Sequence, residues 1–82
     1  MELIWVTEAK VLDGHKLHLT FNDGICKLFD FAQVFAKGHS LFEPLKNLDV
    51  FRNITLDGWT VTWQDGSIDI APEYIYENGI TV

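Results

Sequence analysis

"KLHLTFNDGICKLFD", residues 16–30, contains two apolar runs joined by a tight-turn sequence. In its first half, Leu17, Leu19 and Phe21 alternate with polar residues, which is the period-two pattern of a strand with one buried face. The Asp23-Gly24 pair between the runs favours a hairpin, because glycine readily takes the positive φ that primed turns need. We therefore predict a β-hairpin at this stretch.

Three more Asp-Gly pairs mark further turns, at residues 13–14, 57–58 and 65–66. The first pair extends the hairpin backward, so we predict strand-turn-strand-turn-strand over roughly residues 3–30. The other two pairs favour a second meander over roughly residues 53–70. Two antiparallel meanders are therefore expected in one chain.

The second meander contains the run "WTVTW", in which Trp59, Val61 and Trp63 share one face of a strand and the threonines lie on the other. The first interpretation is that the tryptophans pack in the core, with Trp5 approaching them across the sheet, because large aromatics dominate small cores. The alternative is that one of them lines an exposed patch for a protein partner, since aromatics are enriched at interface hot spots. An edge strand is a second candidate surface for a partner.

A short helix is predicted between the two meanders. Phe31, Val34 and Phe35 have helical spacing, with Asp30 placed as the N-cap and Gly38 as the C-cap. A single helical turn is also expected near residues 49–51.

Two further helical segments have recognisable limits. Ser40 and Glu43 have the spacing of a capping box, but Pro44 prevents a long helix there. Pro72 is placed at the first position of a terminal helix, which Gly79 ends. The predicted class is therefore α+β, with two antiparallel β-meanders or hairpins and short helices packed on one face, in a single domain of residues 1–82.

Composition and charge limit the classes of partner. The 82-residue chain is 48% hydrophobic and carries one cysteine, which excludes an internal disulfide. It shows neither a basic leader nor an apolar run of membrane-spanning length, so we expect a soluble, cytoplasmic protein that makes no membrane contact. A formal net charge of −6 opposes direct binding to nucleic acid and favours a basic protein partner.

Four carboxylates recur every four residues near the C-terminus: Asp65, Asp69, Glu73 and Glu77. Gly66 and Pro72 interrupt any single helix that would align them. A calcium loop that began at Asp65 would need glycine at its sixth position and glutamate at its twelfth, but glycine is second and Tyr76 is twelfth. We therefore favour structural roles, in which Asp65 lies in a turn, Glu73 faces the positive end of a helix, and the tyrosine rings pack on the sheet.

The histidines and nucleophiles do not form a recognisable site. His15 and His18 are three residues apart on a predicted strand, so they point to opposite faces, and Cys26 has no companion at zinc-site spacing. Ser40 and Ser67 have no general base at motif spacing, and there is no glycine-rich phosphate loop. We predict no metal ligands, no cofactor and no catalytic residues, and hence a protein that is not an enzyme.

The residues of two segments resemble a small bacterial family of uncharacterised proteins, catalogued as domain of unknown function two-four-four-two. The segments are "LTFNDGICKLFDF" and "LFEPLKNLDVFRNITLDGWTVTWQDGSIDIAPEYIY". The family pattern is matched at Phe21 and Gly24, Asp30-Phe31, Phe42 with Pro44-Leu45, Phe51, and Trp63 through Tyr76. The resemblance covers nearly the whole chain, and its most specific part is the P-E-x-[LI]-Y ending.

The resemblance implies a small α+β domain without an established activity. Family genes often lie beside a gene for another small protein, which implies toxin–antitoxin-like pairs with this family on the antitoxin side. Some members continue into a helix-turn-helix domain; this chain ends at Val82, so DNA binding is not carried over.

Two functional hypotheses follow. The first is a non-enzymatic interaction module that binds a basic protein or a second copy of itself as a homodimer. Its interaction or family-signature residues are Trp59, Trp63, Asp65, Asp69, Pro72, Glu73 and Tyr76. The alternative is a small-molecule or metal-binding domain that uses Asp65, Asp69 and Glu73 with the nearby aromatics.

Overall fold

Two antiparallel sheets form the framework of the protein, whose computed structural model describes residues 3–82. The strands are β1 (Val6–Val11), β2 (Lys16–Phe21), β3 (Cys26–Asp30), β4 (Thr55–Leu56), β5 (Val61–Trp63), β6 (Ile68–Asp69) and β7 (Ile80–Thr81). The helices are α1 (Ala32–Phe35), a 3₁₀ helix (Ser40–Lys46), α2 (Leu48–Phe51) and α3 (Pro72–Asn78). The first sheet has the order β1-β2-β3-β7 and the second the order β4-β5-β6. The predicted α+β class is therefore confirmed.

The hairpin predicted over residues 16–30 forms β2 and β3, with Leu17 opposite Phe29. Leu17, Leu19 and Phe21 are at most 1% exposed, since alternate residues of a strand point to the same face. β1 pairs with the other side of β2 and has an irregular register near its start. Such a bulge bends the strand locally.

The central strand of the second sheet, β5, is buried on both faces, which differs from the predicted alternation. Trp63 is 0% exposed, and Thr60 and Thr62 are each 3% exposed. The threonine face is buried because its hydroxyls have partners: Thr60 donates to the carbonyl oxygen of Ile70 at 2.5 Å, and Thr62 bonds to β4. Trp59 precedes β5 and is 38% exposed. The expectation that both tryptophans share a core face is therefore wrong for Trp59.

A side-chain-to-backbone hydrogen bond lies at the start of each short α-helix between the sheets, but only in α2 does it come from the N-cap residue. The N-cap of α1 is Phe31 rather than the predicted Asp30, although the Asp30 carboxylate accepts a hydrogen bond from the backbone N–H of Ala32 at 2.9 Å. Gly38, after α1, has a φ of 72°, as expected for a C-terminal glycine. α2 begins after Asn47, whose side chain accepts from the N–H of Asp49 at 2.9 Å.

The capping box predicted at Ser40 and Glu43 is wrong. The 3₁₀ helix begins at Ser40 itself, and no side-chain hydrogen bond caps it. Glu43 instead forms an ion pair with Lys46, with 3.0 Å between Oε2 and Nζ. Pro44 lies inside this helix, and the helix is short, as expected for a segment that contains proline. In the described part of the chain, no helix has the length and apolar character needed to cross a membrane.

α3 packs on the first sheet through its tyrosines. Pro72 occupies its first turn, as predicted. The Tyr74 ring lies edge-on to Phe29, with 6.1 Å between centroids, and the Tyr76 ring lies edge-on to Phe21 at 5.1 Å. These contacts hold the C-terminal segment against β2 and β3.

Gly79 ends α3, although not through a positive φ, since its φ is −79°. A Cβ atom at this position would lie 2.8 Å from the carbonyl oxygen of Ile75 and 3.1 Å from Cβ of Lys27. Only glycine permits this close approach, which lets the chain turn directly into β7. β7, which pairs Ile80 with Leu28, was not predicted.

Phe31 lies at the centre of the core, between the two sheets and the helices. Its ring centroid is 5.5 Å from that of Phe35, 5.7 Å from Phe42, 5.5 Å from Phe51 and 5.4 Å from Trp63. Most of these pairs are edge-to-face, the arrangement that the ring quadrupoles favour. Four of the aromatics that carry the family resemblance, Phe31, Phe42, Phe51 and Trp63, thus belong to one cluster.

Candidate functional site

Asn22 fixes the segment that carries Trp5. Its Oδ1 accepts a hydrogen bond from the Trp5 N–H at 2.9 Å, and its Nδ2 donates to the carbonyl oxygen of Leu3 at 3.0 Å. The backbone N–H of Asn22 also donates to the Trp5 carbonyl at 3.0 Å. These three bonds hold residues 3–5 as an extension of β1, so Trp5 has a defined position.

Asp57 shapes the turn that presents Trp59. Its Oδ1 accepts from the backbone N–H of Thr60 at 2.8 Å and from that of Trp59 at 2.9 Å. The bond from Thr60 and then the bond from Trp59 lower the pKa of the Asp57 carboxyl below its usual value. A negative charge is therefore retained beside Trp59 at neutral and mildly acidic pH.

Trp5 and Trp59 stack at the junction of the two sheets, with 6.2 Å between ring centroids and 19° between ring planes. The Val6 N–H donates to the carbonyl oxygen of Trp59 at 2.9 Å and holds the two segments together. Trp59 is 38% exposed, Leu3 64% and Leu56 41%. Leu56 belongs to β4, which lies beside β1. We call Leu3, Trp5, Leu56 and Trp59 the aromatic patch.

The aromatic patch continues into the free edge of β1. β2 pairs with one side of this strand, and no strand of the described chain pairs with the other side over Glu8–Val11. Glu8 and Lys10 are exposed there. A free edge can accept a partner strand, and charged residues along it discourage indiscriminate pairing.

Trp63, the other tryptophan predicted as an interaction residue, belongs to the core instead. Its indole N–H donates to the carbonyl oxygen of Phe51 at 2.8 Å, and its ring stacks on the Phe51 ring at 5.7 Å. It is 0% exposed. Trp63 is therefore a core residue, whereas Trp59 remains a candidate interface residue.

The three carboxylates of the alternative hypothesis lie in separate settings. Asp65 is exposed in the β5–β6 turn, and Glu73 is exposed in the first turn of α3. Asp69, in β6, lines a cavity that neither of the other two reaches. Among residues 3–82, no three His, Cys, Asp or Glu side chains are grouped so that they could hold a metal ion.

Tyr76 connects α3 to the β2–β3 turn. Its hydroxyl donates to Oδ2 of Asp23 at 2.7 Å, and the Lys27 Nζ lies 4.8 Å from its ring centroid. The Tyr76 bond, followed by the bond from the Ile25 N–H, lowers the pKa of Asp23, and the bond to Asp23 raises the pKa of Tyr76. Tyr76 and the buried Pro72 thus have structural roles.

A cavity with a volume of about 250 Å³ lies beside α3. Its apolar lining is Val34, Phe42, Ile70 and Ala71, and its polar lining is Lys37, His39, Asp69 and Tyr74. We call it the α3 cavity. The end of α1, the segment leading into the 3₁₀ helix, β6 and α3 all contribute to it, so it forms where several short elements meet.

Several residues at these two features carry little signal in the sequence. Asn22 and Asp57 act by accepting hydrogen bonds from backbone N–H groups. For Asp57, the Asp-Gly pair at residues 57–58 indicates a turn in the sequence, but nothing in the sequence indicates the role of Asn22. Lys37 and Tyr74 meet from different helical segments, which no local spacing shows. Trp5 was expected to approach the other tryptophans, and it does approach Trp59.

The architecture defines a small α+β domain with a partly exposed aromatic surface and a small cavity beside α3. Residues 6–81 match the family model described as protein of unknown function (DUF2442), and the chain belongs to that family. Comparison with curated proteins found no match, and comparison with solved structures found none. The resemblance seen in the sequence is thus confirmed, and the description assigns no activity.

Proposed function

We propose that this protein is a non-enzymatic protein–protein interaction module whose docking surface is the aromatic patch. The Trp5–Trp59 stack, in which Trp59 is exposed and Trp5 is half-buried, carries this proposal. Two large rings held in fixed positions lose little conformational freedom on binding and offer the kind of area that dominates interface energetics. Leu3, two residues before Trp5, and Leu56, three residues before Trp59, are exposed apolar side chains of the same two segments.

The proposed partner is a basic protein. The charged Asp57 lies at the base of the Trp59 turn, and Asp23 follows Asn22, which positions Trp5. Both carboxyl groups have pKa values below the usual range, so both remain charged. Together with the net charge of −6, they favour rapid encounter with a positive surface and disfavour acidic competitors.

The finer proposal is an antitoxin-like role. The family resemblance implies an adjacent gene that encodes a small toxin-like protein, and this chain would neutralise that protein by covering part of its surface. The aromatic patch supplies an apolar centre with the charged Asp57 beside it, and an apolar centre with a polar rim is typical of specific interfaces.

The test is recovery of a partner from the native host with tagged wild-type protein and with Trp59→Ala. We expect a stoichiometric basic protein that dissociates at high salt, as screening predicts, and at least about a tenfold loss of affinity in Trp59→Ala. Ile80→Ser is the matched control, because Ile80 is 67% exposed at β7, outside the patch. A partner retained by Trp59→Ala would contradict the assignment of the surface. Light scattering on the wild type separates a heterologous complex from a homodimer, which would contradict the basic partner.

A further inference from the structure

The α3 cavity combines an apolar floor with opposite charges at its rim. Val34 is 3% exposed and Ile70 is 6% exposed, and both belong to the core cluster, so the floor is rigid. Phe42 packs partly buried against the same cluster. At about 250 Å³, the cavity lies just below the range typical of drug-sized ligands. It therefore suits a small molecule with a compact apolar group.

One end of the rim presents hydrogen-bond donors. The Lys37 Nζ donates to the Tyr74 hydroxyl at 2.8 Å and lies 5.0 Å from the Tyr74 ring centroid. Within residues 3–82, the only carboxylate–ammonium pair at ion-pair distance is that of Glu43 and Lys46, so Lys37 is not neutralised. Because the tyrosine oxygen accepts from Lys37, its own O–H remains available to donate. Ammonium and hydroxyl together can bind a carboxylate by charge-assisted hydrogen bonds.

The rim also presents an acceptor of opposite charge. Asp69 is exposed in β6 and is one of the residues that line the α3 cavity, beside the buried Ile70. The only ion pair within residues 3–82 is that of Glu43 and Lys46, so no basic side chain of the described chain neutralises Asp69. It is available to accept hydrogen bonds from an ammonium group.

We propose that the α3 cavity binds a free α-amino acid with an apolar, preferably aromatic, side chain. The α-carboxylate bonds to Lys37 and Tyr74, the α-ammonium bonds to Asp69, and the side chain lies on the Val34–Ile70 floor. Net charge supports a zwitterion over the other classes. A net anion is repelled by a protein of charge −6, and a net cation leaves Lys37 unpaired. This inference does not depend on the aromatic patch.

The first experiment compares three probes on the full chain by calorimetry and by amide chemical shifts. The probes are L-phenylalanine, 3-phenylpropionate, which lacks the ammonium, and phenethylamine, which lacks the carboxylate. We expect L-phenylalanine to shift the amides around Val34, Lys37 and Ile70, and each analogue to bind about tenfold more weakly or worse, because one charged hydrogen bond is lost. Absence of binding at millimolar L-phenylalanine, or equal binding of 3-phenylpropionate, would overturn the proposal.

The second experiment removes each charge from the protein. Asp69→Asn should abolish the preference for L-phenylalanine over 3-phenylpropionate, and Lys37→Met should abolish the preference over phenethylamine. Asp65→Asn and Lys10→Met make the same charge changes outside the cavity and should leave both preferences unchanged. If the controls reduce the preferences equally, the effect is one of net charge and the proposal fails. The wild-type probe comparison still decides the matter if a cavity variant does not fold.

Discussion

Trp59 and Trp63 lie four residues apart, but Trp63 is buried and Trp59 is exposed. The difference follows from the groups that each indole contacts. Trp63 has a buried acceptor for its indole N–H, the carbonyl oxygen of Phe51, and two aromatic neighbours. Trp59 has one ring beside it, that of Trp5, and solvent on its other side. The indole N–H partner allows a large amphipathic ring to be fully buried without an unsatisfied donor.

Replacing Trp63 should therefore lower the stability of the protein. Two substitutions separate the contribution of its hydrogen bond from that of its ring. We expect Trp63→Phe to lower the free energy of unfolding by roughly 1–3 kcal/mol, because the Phe51 carbonyl loses its buried donor. Trp63→Ala should cost roughly 3–5 kcal/mol, since it also leaves a cavity. Urea unfolding measures both. Trp59→Phe is the matched control and should change stability by less than about 0.5 kcal/mol; a control as destabilised as Trp63→Phe would show that both rings are structural.

Among the elements, the β5–β6 turn is the most constrained. Gln64, Asp65 and Gly66 have successive positive φ values of 52°, 57° and 86°. The Gly66 N–H donates to the Trp63 carbonyl at 3.2 Å, which closes a tight turn. The direction of the chain after β5, and with it the position of Asp69 at the α3 cavity, depends on this conformation.

Gly66→Val should destabilise the turn, because a β-branched residue is forced into positive φ, at a cost of roughly 1–2 kcal/mol. Thermal unfolding provides the measurement. Asp65→Gly is the control, because it introduces a glycine, rather than replacing one, at a positive-φ position of the same turn. It removes a side chain from positive φ and should leave stability within about 0.5 kcal/mol of wild type. A wild-type melting temperature in Gly66→Val would contradict the turn geometry.

Patterns within one element predicted that element well. The alternation of Leu17, Leu19 and Phe21 identified β2, and Pro72 identified the start of α3. The burial of Thr60 was not predicted, because it depends on a carbonyl at Ile70 in another strand. Gly79 was predicted to end the helix, but its reason was not, since it arises from the close approach of the Ile75 carbonyl and of β3 rather than from its own φ.

At the scale of the whole molecule, function-related features come from segments far apart in the chain. The aromatic patch joins Trp5 to Trp59, and the α3 cavity joins Lys37 to Tyr74. Periodicity and spacing describe neighbours along the chain, so they indicated that tryptophans and carboxylates were candidates without showing which would meet. Asp69 reached a cavity, whereas Asp65 and Glu73 did not.

The bond between Tyr76 and Asp23 also spans the molecule and should make stability depend on pH. The pKa of Asp23 is lowered, so its contribution is complete above its ordinary value and is lost as pH falls through the folded-state value. The pKa of Tyr76 is raised, so its contribution is complete below its ordinary value and is lost as pH rises through the folded-state value. The bond is therefore most stabilising between about pH 5 and about pH 9.

The test compares Tyr76→Phe with the wild type. The midpoint of urea unfolding is measured for both proteins over a range of pH, and the difference between the two midpoints is followed. This difference should be largest in the neutral range and should narrow below about pH 4. Asp57 has a lowered pKa in both proteins, so its contribution cancels. A difference that stays constant from neutral to strongly acidic pH would mean that Asp23 is not the partner on which the effect depends.

β7 pairs with β3 although all the helices and the whole second sheet lie between them along the chain. Closing so long a loop costs chain entropy before any pairing energy is recovered, and such non-local contacts slow folding. The two-residue β7 should therefore join the first sheet late in the folding reaction and separate from it early in unfolding. We therefore expect the β3–β7 pairing to open before the central core does, and such opening would expose Leu28 and the edge of β3.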